Sequence, residues 1–196
     1  MIVLAFLIIL TILAFFADKF IRKHNVKIYI VATIISILAF ILQDKAFTTP
    51  IMQGFLGLSF FYIVMITGAI DKKYKIKAKF LGLRREYSII GFIVIAPHAL
   101  KYTLQGLNGT IALEWFGMTS FLKIRRKMKA KTWNSIQSAA YIIYILLFIH
   151  LILNYTLKIN LILYLVIFIF YFVMKMIYEI KKYDAKKKKK LASSAA

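Results

Sequence analysis

The sequence predicts an all-α, polytopic transmembrane helix bundle of about six to seven helices, with the N-terminus outside and the C-terminus cytoplasmic. Two observations carry this. Hydrophobic residues make up 62% of the 196 residues, far above the soluble norm, and they lie in long runs. Charged residues are confined to blocks between those runs, and the basic ones crowd into alternate blocks. A bundle in lipid needs no soluble core, so 1–180 is expected to form one transmembrane bundle. Residues 181–196 are expected to be a disordered basic cytoplasmic tail, low in complexity.

The expected spans are 2–16, 28–43, 51–70, 88–106, 109–122, 134–156 and 159–178. No basic stretch precedes the first and no A-x-A site follows it, so a retained helix is expected rather than a cleaved leader. ADKFIRKHNVK, with four basic residues, leads into the second. Pro50 opens the third, where its missing N–H is not needed. DKKYKIKAKFLGLRREY, with seven basic residues, precedes the fourth. Gly106, Asn108 and Gly109 make a tight turn into the fifth. That fifth run, TIALEWFGMTSFL, is only about 20 Å long as a helix, against roughly 30 Å of hydrocarbon. It also carries Glu114, an acid that is expensive in lipid. Its length leaves open whether it spans fully. The basic KIRRKMKAK beyond it, with six Lys and Arg, favours crossing.

Alternate connections, including the tail KKYDAKKKKK, hold 24 Lys and Arg, whereas the opposite ones hold Lys45, Lys101 and Lys158. The positive-inside rule puts the rich side in the cytoplasm of a cell membrane. The net charge of +21 is therefore a topology signal, with attraction to anionic lipid as its second consequence, and no nucleic acid is implied. The absence of cysteine excludes thiolate metal sites, iron–sulfur clusters, thiol catalysis and disulfides. The seven acids are scattered, which argues against a lipid-modifying enzyme with clustered carboxylates.

His24 lies beside Arg22 and Lys23 and reads as a solvated loop residue. His98, in SIIGFIVIAPHALKYTL, and His150 are different, because each lies deep in an apolar span. An intramembrane ionisable group is a functional hypothesis by default, although hydrogen bonding between helices is the plainer role. His98 stands about 17 Å along a helix from Tyr87, taken as the inner edge, and His150 about 25 Å from Trp133. Both therefore fall in the outer half, at levels a modest tilt would equalise. One imidazole from each of two helices is what a bis-histidine haem needs, each donating a neutral nitrogen to iron. Zinc lacks a third and fourth ligand, with no cysteine and only Glu114 near. Pro97 removes a backbone hydrogen bond beside His98 and should bend the helix. Gly91, Ala96, Ala99, Ser138, Ala139 and Ala140 permit close packing of helices or of a flat ring. Lys101, one turn above His98, is placed either to reach a propionate or to snorkel to headgroups.

Two blocks resemble the ferric reductase-like transmembrane domain superfamily. That group includes bacterial ferric reductases, NADPH oxidase membrane domains and the haem-binding membrane subunit of the periplasmic methionine sulfoxide reductase system. The first block is LRREYSIIGFIVIAPHALKY, with Arg84–Arg85 and then His98. The second is TSFLKIRRKMKAKTWNSIQSAAYIIYILLFIHLIL, with Thr119–Ser120, Arg125–Arg126, Trp133, Tyr141 and His150. Together they cover 83–153. The family's second block carries two histidines thirteen residues apart, and here Gln137 takes the inner place. The resemblance thus implies one b-type haem near the outer face, held by His98 and His150, with the inner haem absent. No flavin- or nicotinamide-binding domain follows the last span, so a cytoplasmic reductase or quinol is the expected donor, with a quinone or a partner's flavin as auxiliary cofactor. The expected acceptor is extracytoplasmic, a flavoprotein, a ferric chelate or a reductase. The rival reading is a haem-free assembly or transport protein using the histidines for packing or proton relay.

Overall fold

The computed structural model describes residues 2–43, 45–71, 73–104, 130–154 and 158–194. Among these there is no strand. The helices are α1 (Ile2–Phe16), α2 (Asp18–Lys23), α3 (Asn25–Ile41), α4 (Thr49–Met52), α5 (Phe55–Thr67), α6 (Lys75–Leu104), α7 (Ala130–Asn154) and α8 (Lys158–Ser194), with a 3-10 turn at Ala46–Thr48. Two segments, Ala46–Thr67 and Leu161–Ala185, are long and apolar enough to cross a membrane, and Ile2–Phe16, Asn25–Ile41 and Ile142–Asn154 are shorter apolar helices.

Helix α5 is the axis of the bundle. Every residue from Gly57 to Thr67 is buried, and α6 and α1 pack against it. Close approach of α5 and α6 rests on two glycines. A Cβ at Gly57 would lie 2.6 Å from Ile95 Cδ1, and one at Gly91 would lie 2.9 Å from Phe60 Cβ. Helix α6 also buries Phe80, Leu83, Tyr87, Ile90 and Val94, which recur at helical spacing. Helix α3 turns a strip of small buried residues inward, Ala32, Ser36 and Ala39, a pattern that lets helix backbones approach closely. Helix α8 joins through aromatics. Phe148 and Phe168 have ring centres 5.2 Å apart, Tyr144 and Tyr171 5.9 Å, and the Tyr62 hydroxyl donates to the Ile167 carbonyl at 2.9 Å.

One end of the bundle is basic, and its lysines close helix ends. The last carbonyls of a helix lack intrahelical donors and carry partial negative charge. Lys77 donates to the carbonyls of Thr67 and of Ile70, the latter at 2.9 Å, at the end of α5. Lys79 reaches the Phe15 carbonyl, 3.3 Å, at the end of α1, and Asp18, 3.2 Å. The Tyr178 ring of α8 lies 5.4 Å under the Lys77 ammonium. The C-terminal ends of α1 and α5, the start of α6 and this stretch of α8 therefore share one face.

Three expectations need correction. The third span is not one helix, because it breaks at Gly54 between α4 and α5. Helix α6 starts at Lys75, well before 88, and Tyr87 is not at an edge. It is 1% exposed and hydrogen-bonds to Leu10 within α1. The basic tail is helical through Ser194 rather than disordered. Lysine and alanine are good helix formers, and a helix already nucleated extends at little cost. The fifth span, 109–122 with Glu114, lies outside the described residues.

Candidate functional site

The site grows out of a break in a helix. Thr49 and Pro50 start α4, but the backbone ladder stops after one turn. The Gly54 N–H closes back on the Ile51 carbonyl, and the next rung runs from Leu58 to Gly54. Gly54 has φ +74, a left-handed conformation available to glycine without strain. A Cβ there would meet Ile95 Cδ1 at 3.2 Å and Cγ and Cδ2 of His98 at 3.3 Å. The helix break and the imidazole are thus in direct contact.

His98 stands on α6 between the buried Pro97 and Ala99, and is itself half-buried. Its Nδ1 lies 2.9 Å from the Met52 carbonyl oxygen. A carbonyl only accepts, so Nδ1 carries the proton and, in the neutral ring, Nε2 keeps its lone pair. The Tyr102 ring sits one turn on, 4.8 Å centre to centre at 60°. His150 comes from α7, on an exposed side of the helix. The amide nitrogen of Asn154 is 3.3 Å from its Nδ1 and 2.8 Å from its backbone carbonyl. The structure brings the two imidazoles together, with ring centres 6.3 Å apart and planes crossed at 84°. Lys101 is half-buried in the last turn of α6.

Among the described residues, no group of three or more His, Cys, Asp or Glu could hold a metal ion. Glu114, Thr119, Ser120, Arg125 and Arg126 lie outside the described residues, as do the side chains of Trp133, Gln137, Ser138, Ala139, Ala140 and Tyr141. His24, expected in a solvated loop, is the half-buried joint between α2 and α3, its ring 4.6 Å from that of Phe20.

Sequence reasoning missed Met52 and Gly54. The signal was the polar pair Gln53–Gly54 inside an apolar run, three residues before another glycine. It also passed over Glu86. That carboxylate is 2% exposed and paired with Arg85. The hydroxyl of Tyr29 lies within the electrostatic reach of both Glu86 and Arg85.

No family model matches the chain, and no solved structure matches it. It is similar to an "Uncharacterized protein" of Treponema pallidum (strain Nichols), 27% identical over 124 residues, a match taking in 52% of this chain and 34% of that protein. The chain therefore spans about a third of that relative's length.

Proposed function

We propose that the protein is a multi-pass cell-membrane cytochrome holding one b-type haem between His98 and His150, near the outer face, and relaying electrons to an extracytoplasmic acceptor. One observation carries the reading, the 6.3 Å separation of two imidazoles from different helices. A metal–nitrogen bond of about 2 Å on each side, plus about 1 Å from each ring centre to its nitrogen, gives roughly 6 Å. A T-shaped pair packed without metal keeps a similar separation, as Tyr144 and Tyr171 do at 5.9 Å and 84°, so the spectrum of the purified protein decides between the two.

When bound, the haem would supply a one-electron iron couple, with two histidine ligands that disfavour oxygen binding. The chain's own residues do the rest. The Met52 carbonyl holds the Nδ1 proton of His98, which stiffens the ring and leaves Nε2 as the atom that would ligate the iron. His150 reaches the same state only if the Asn154 amide makes a half-turn. That turn exchanges its bond to the His150 carbonyl for one accepted from Nδ1. Neighbouring apolar side chains, including Ile95 and Ala99, lower the local dielectric. Lys101 is placed for a propionate or a headgroup.

Membrane residence is supported by the two long apolar segments, Ala46–Thr67 and Leu161–Ala185, and by the bare apolar faces of α1 and α3. Ile8, Ile12, Ile34 and Ile37 are each more than half exposed, as lipid-facing residues would be. The basic end, with α1 and α5 ending there and α6 starting, fits the cytoplasmic side. The inner haem's absence leaves the donor to a cytoplasmic reductase, a quinol or a partner's flavin. The rival, a haem-free assembly or transport protein using the histidines for packing or proton relay, draws on the His98–Met52 and His150–Asn154 contacts and on the T-shaped packing of the two rings. Protein purified from haem-replete cells should be red, with the reduced-minus-oxidised spectrum of a six-coordinate b-type haem that His98→Ala or His150→Ala abolishes. A colourless preparation would favour the rival.

A further inference from the structure

We infer that the α4–α5 break is a positioning device for His98, with Gly54 as the residue that sets it. The inference rests on the haem reading for its purpose but not for its geometry. In an unbroken helix the Met52 carbonyl would be taken by an N–H four residues on. The left-handed turn at Gly54 diverts the ladder, and that carbonyl accepts Nδ1–H of His98 at 2.9 Å instead. Backbone carbonyls off the helical ladder at membrane depth persist where protein satisfies them, and here the imidazole does so.

Gly54 acts twice. It supplies the φ of +74 that ends α4, and its missing side chain leaves room for the imidazole, whose Cγ and Cδ2 are 3.3 Å from where a Cβ would stand. A side chain at this position both strains the turn and pushes the ring off the carbonyl. Gly57, one turn on, is a close-packing glycine of a different kind. Its Cβ would strike Ile95, not the imidazole. Gly54 shares the Ile95 contact, with Cδ1 3.2 Å from its Cβ position, so what distinguishes Gly54 from Gly57 is the imidazole. A carbonyl acceptor on the far nitrogen fixes a ligating histidine's tautomer, orientation and basicity, and losing such a partner typically weakens metal binding about 10- to 100-fold.

The test uses nitrogen-15 NMR of histidine in the full-length protein in detergent, without and with added haem. Without haem, His98 (assigned by its loss in His98→Gln) should show a protonated Nδ1 and an unprotonated Nε2. Gly54→Ala should mix the two tautomers and lower haem affinity about 10- to 100-fold, whereas Gly57→Ala should leave the His98 tautomer intact. An Nε2-protonated His98 in the unaltered protein would overturn the inference, even if Gly54→Ala failed to fold. So would a Gly54→Ala protein with unchanged tautomer and unchanged haem affinity. If the unaltered protein shows the expected tautomer yet takes up no haem, the cytochrome reading fails and the positioning role stands.

Discussion

Tyr87 of α6 donates its phenolic proton to the Leu10 carbonyl of α1 at 2.7 Å, inside the bundle rather than at its edge. The ring also meets Phe60 edge-on, with centres 5.2 Å apart, so one side chain joins three helices. Tyr87→Phe keeps the ring contact and loses only the hydrogen bond. A destabilisation of about 1 kcal/mol is expected, measured by denaturant unfolding in detergent. A loss above about 3 kcal/mol would mean the hydroxyl does more than this bond accounts for.

The Arg85–Glu86 pair gives a larger effect. Glu86 is nearly sealed while the Arg85 side chain is 34% exposed, so the guanidinium left behind in Glu86→Gln keeps some solvent. The fully buried case costs about 3–5 kcal/mol when one partner is removed, and about 2 kcal/mol is expected here after that discount. Glu179→Gln, which breaks an exposed pair with Lys175, should cost under about 1 kcal/mol. Equal losses in the two variants would contradict the burial of Glu86.

Gly57→Ala and Gly91→Ala test the α5–α6 seam. Each added methyl meets neighbouring atoms closer than 3.0 Å, and overpacking of this kind costs about 1–3 kcal/mol. Thermal unfolding should show both variants below the unaltered protein. A neutral or stabilising result at either position would mean that the helices are farther apart than described.

Acid should loosen the α2–α6 contact. The hydrogen bond from Lys79 is the chief cause that holds the Asp18 carboxyl below its ordinary value. A depressed folded value means the contact stabilises fully above the unfolded carboxylate range and is lost as pH falls through the folded value. Hydrogen exchange of α2 should therefore rise only at acid pH below that range, and Asp18→Asn should raise it at neutral pH and flatten the dependence. Acid sensitivity that survives in Asp18→Asn would assign it to another group.

Helical class and the two histidines were legible because apolar runs and isolated polar residues are one-dimensional signals. The basic block DKKYKIKAKFLGLRREY proves to lie largely within α6, where Lys77 and Lys79 close the ends of α5 and α1. The break at Gly54 was not legible. Apolar windows average over a single glycine, and what makes Gly54 matter is a contact with His98, 44 positions away. The true start of α6 was hidden for a related reason. Arg84, Arg85 and Glu86 look like a water-facing boundary, but pairing of Arg85 with Glu86 lets charge continue into the bundle. Tail helicity was missed because composition describes an isolated segment, not one grown from a formed helix.

The most direct measurement of the central claim is low-temperature electron paramagnetic resonance of the oxidised, haem-loaded protein. Two imidazole planes crossed near 84° should give one low-spin ferric signal of the strongly anisotropic kind, at one haem per chain, replaced by a high-spin signal in His98→Ala and in His150→Ala. A high-spin signal in the unaltered protein, or a low-spin signal that survives either substitution, would contradict ligation by this pair.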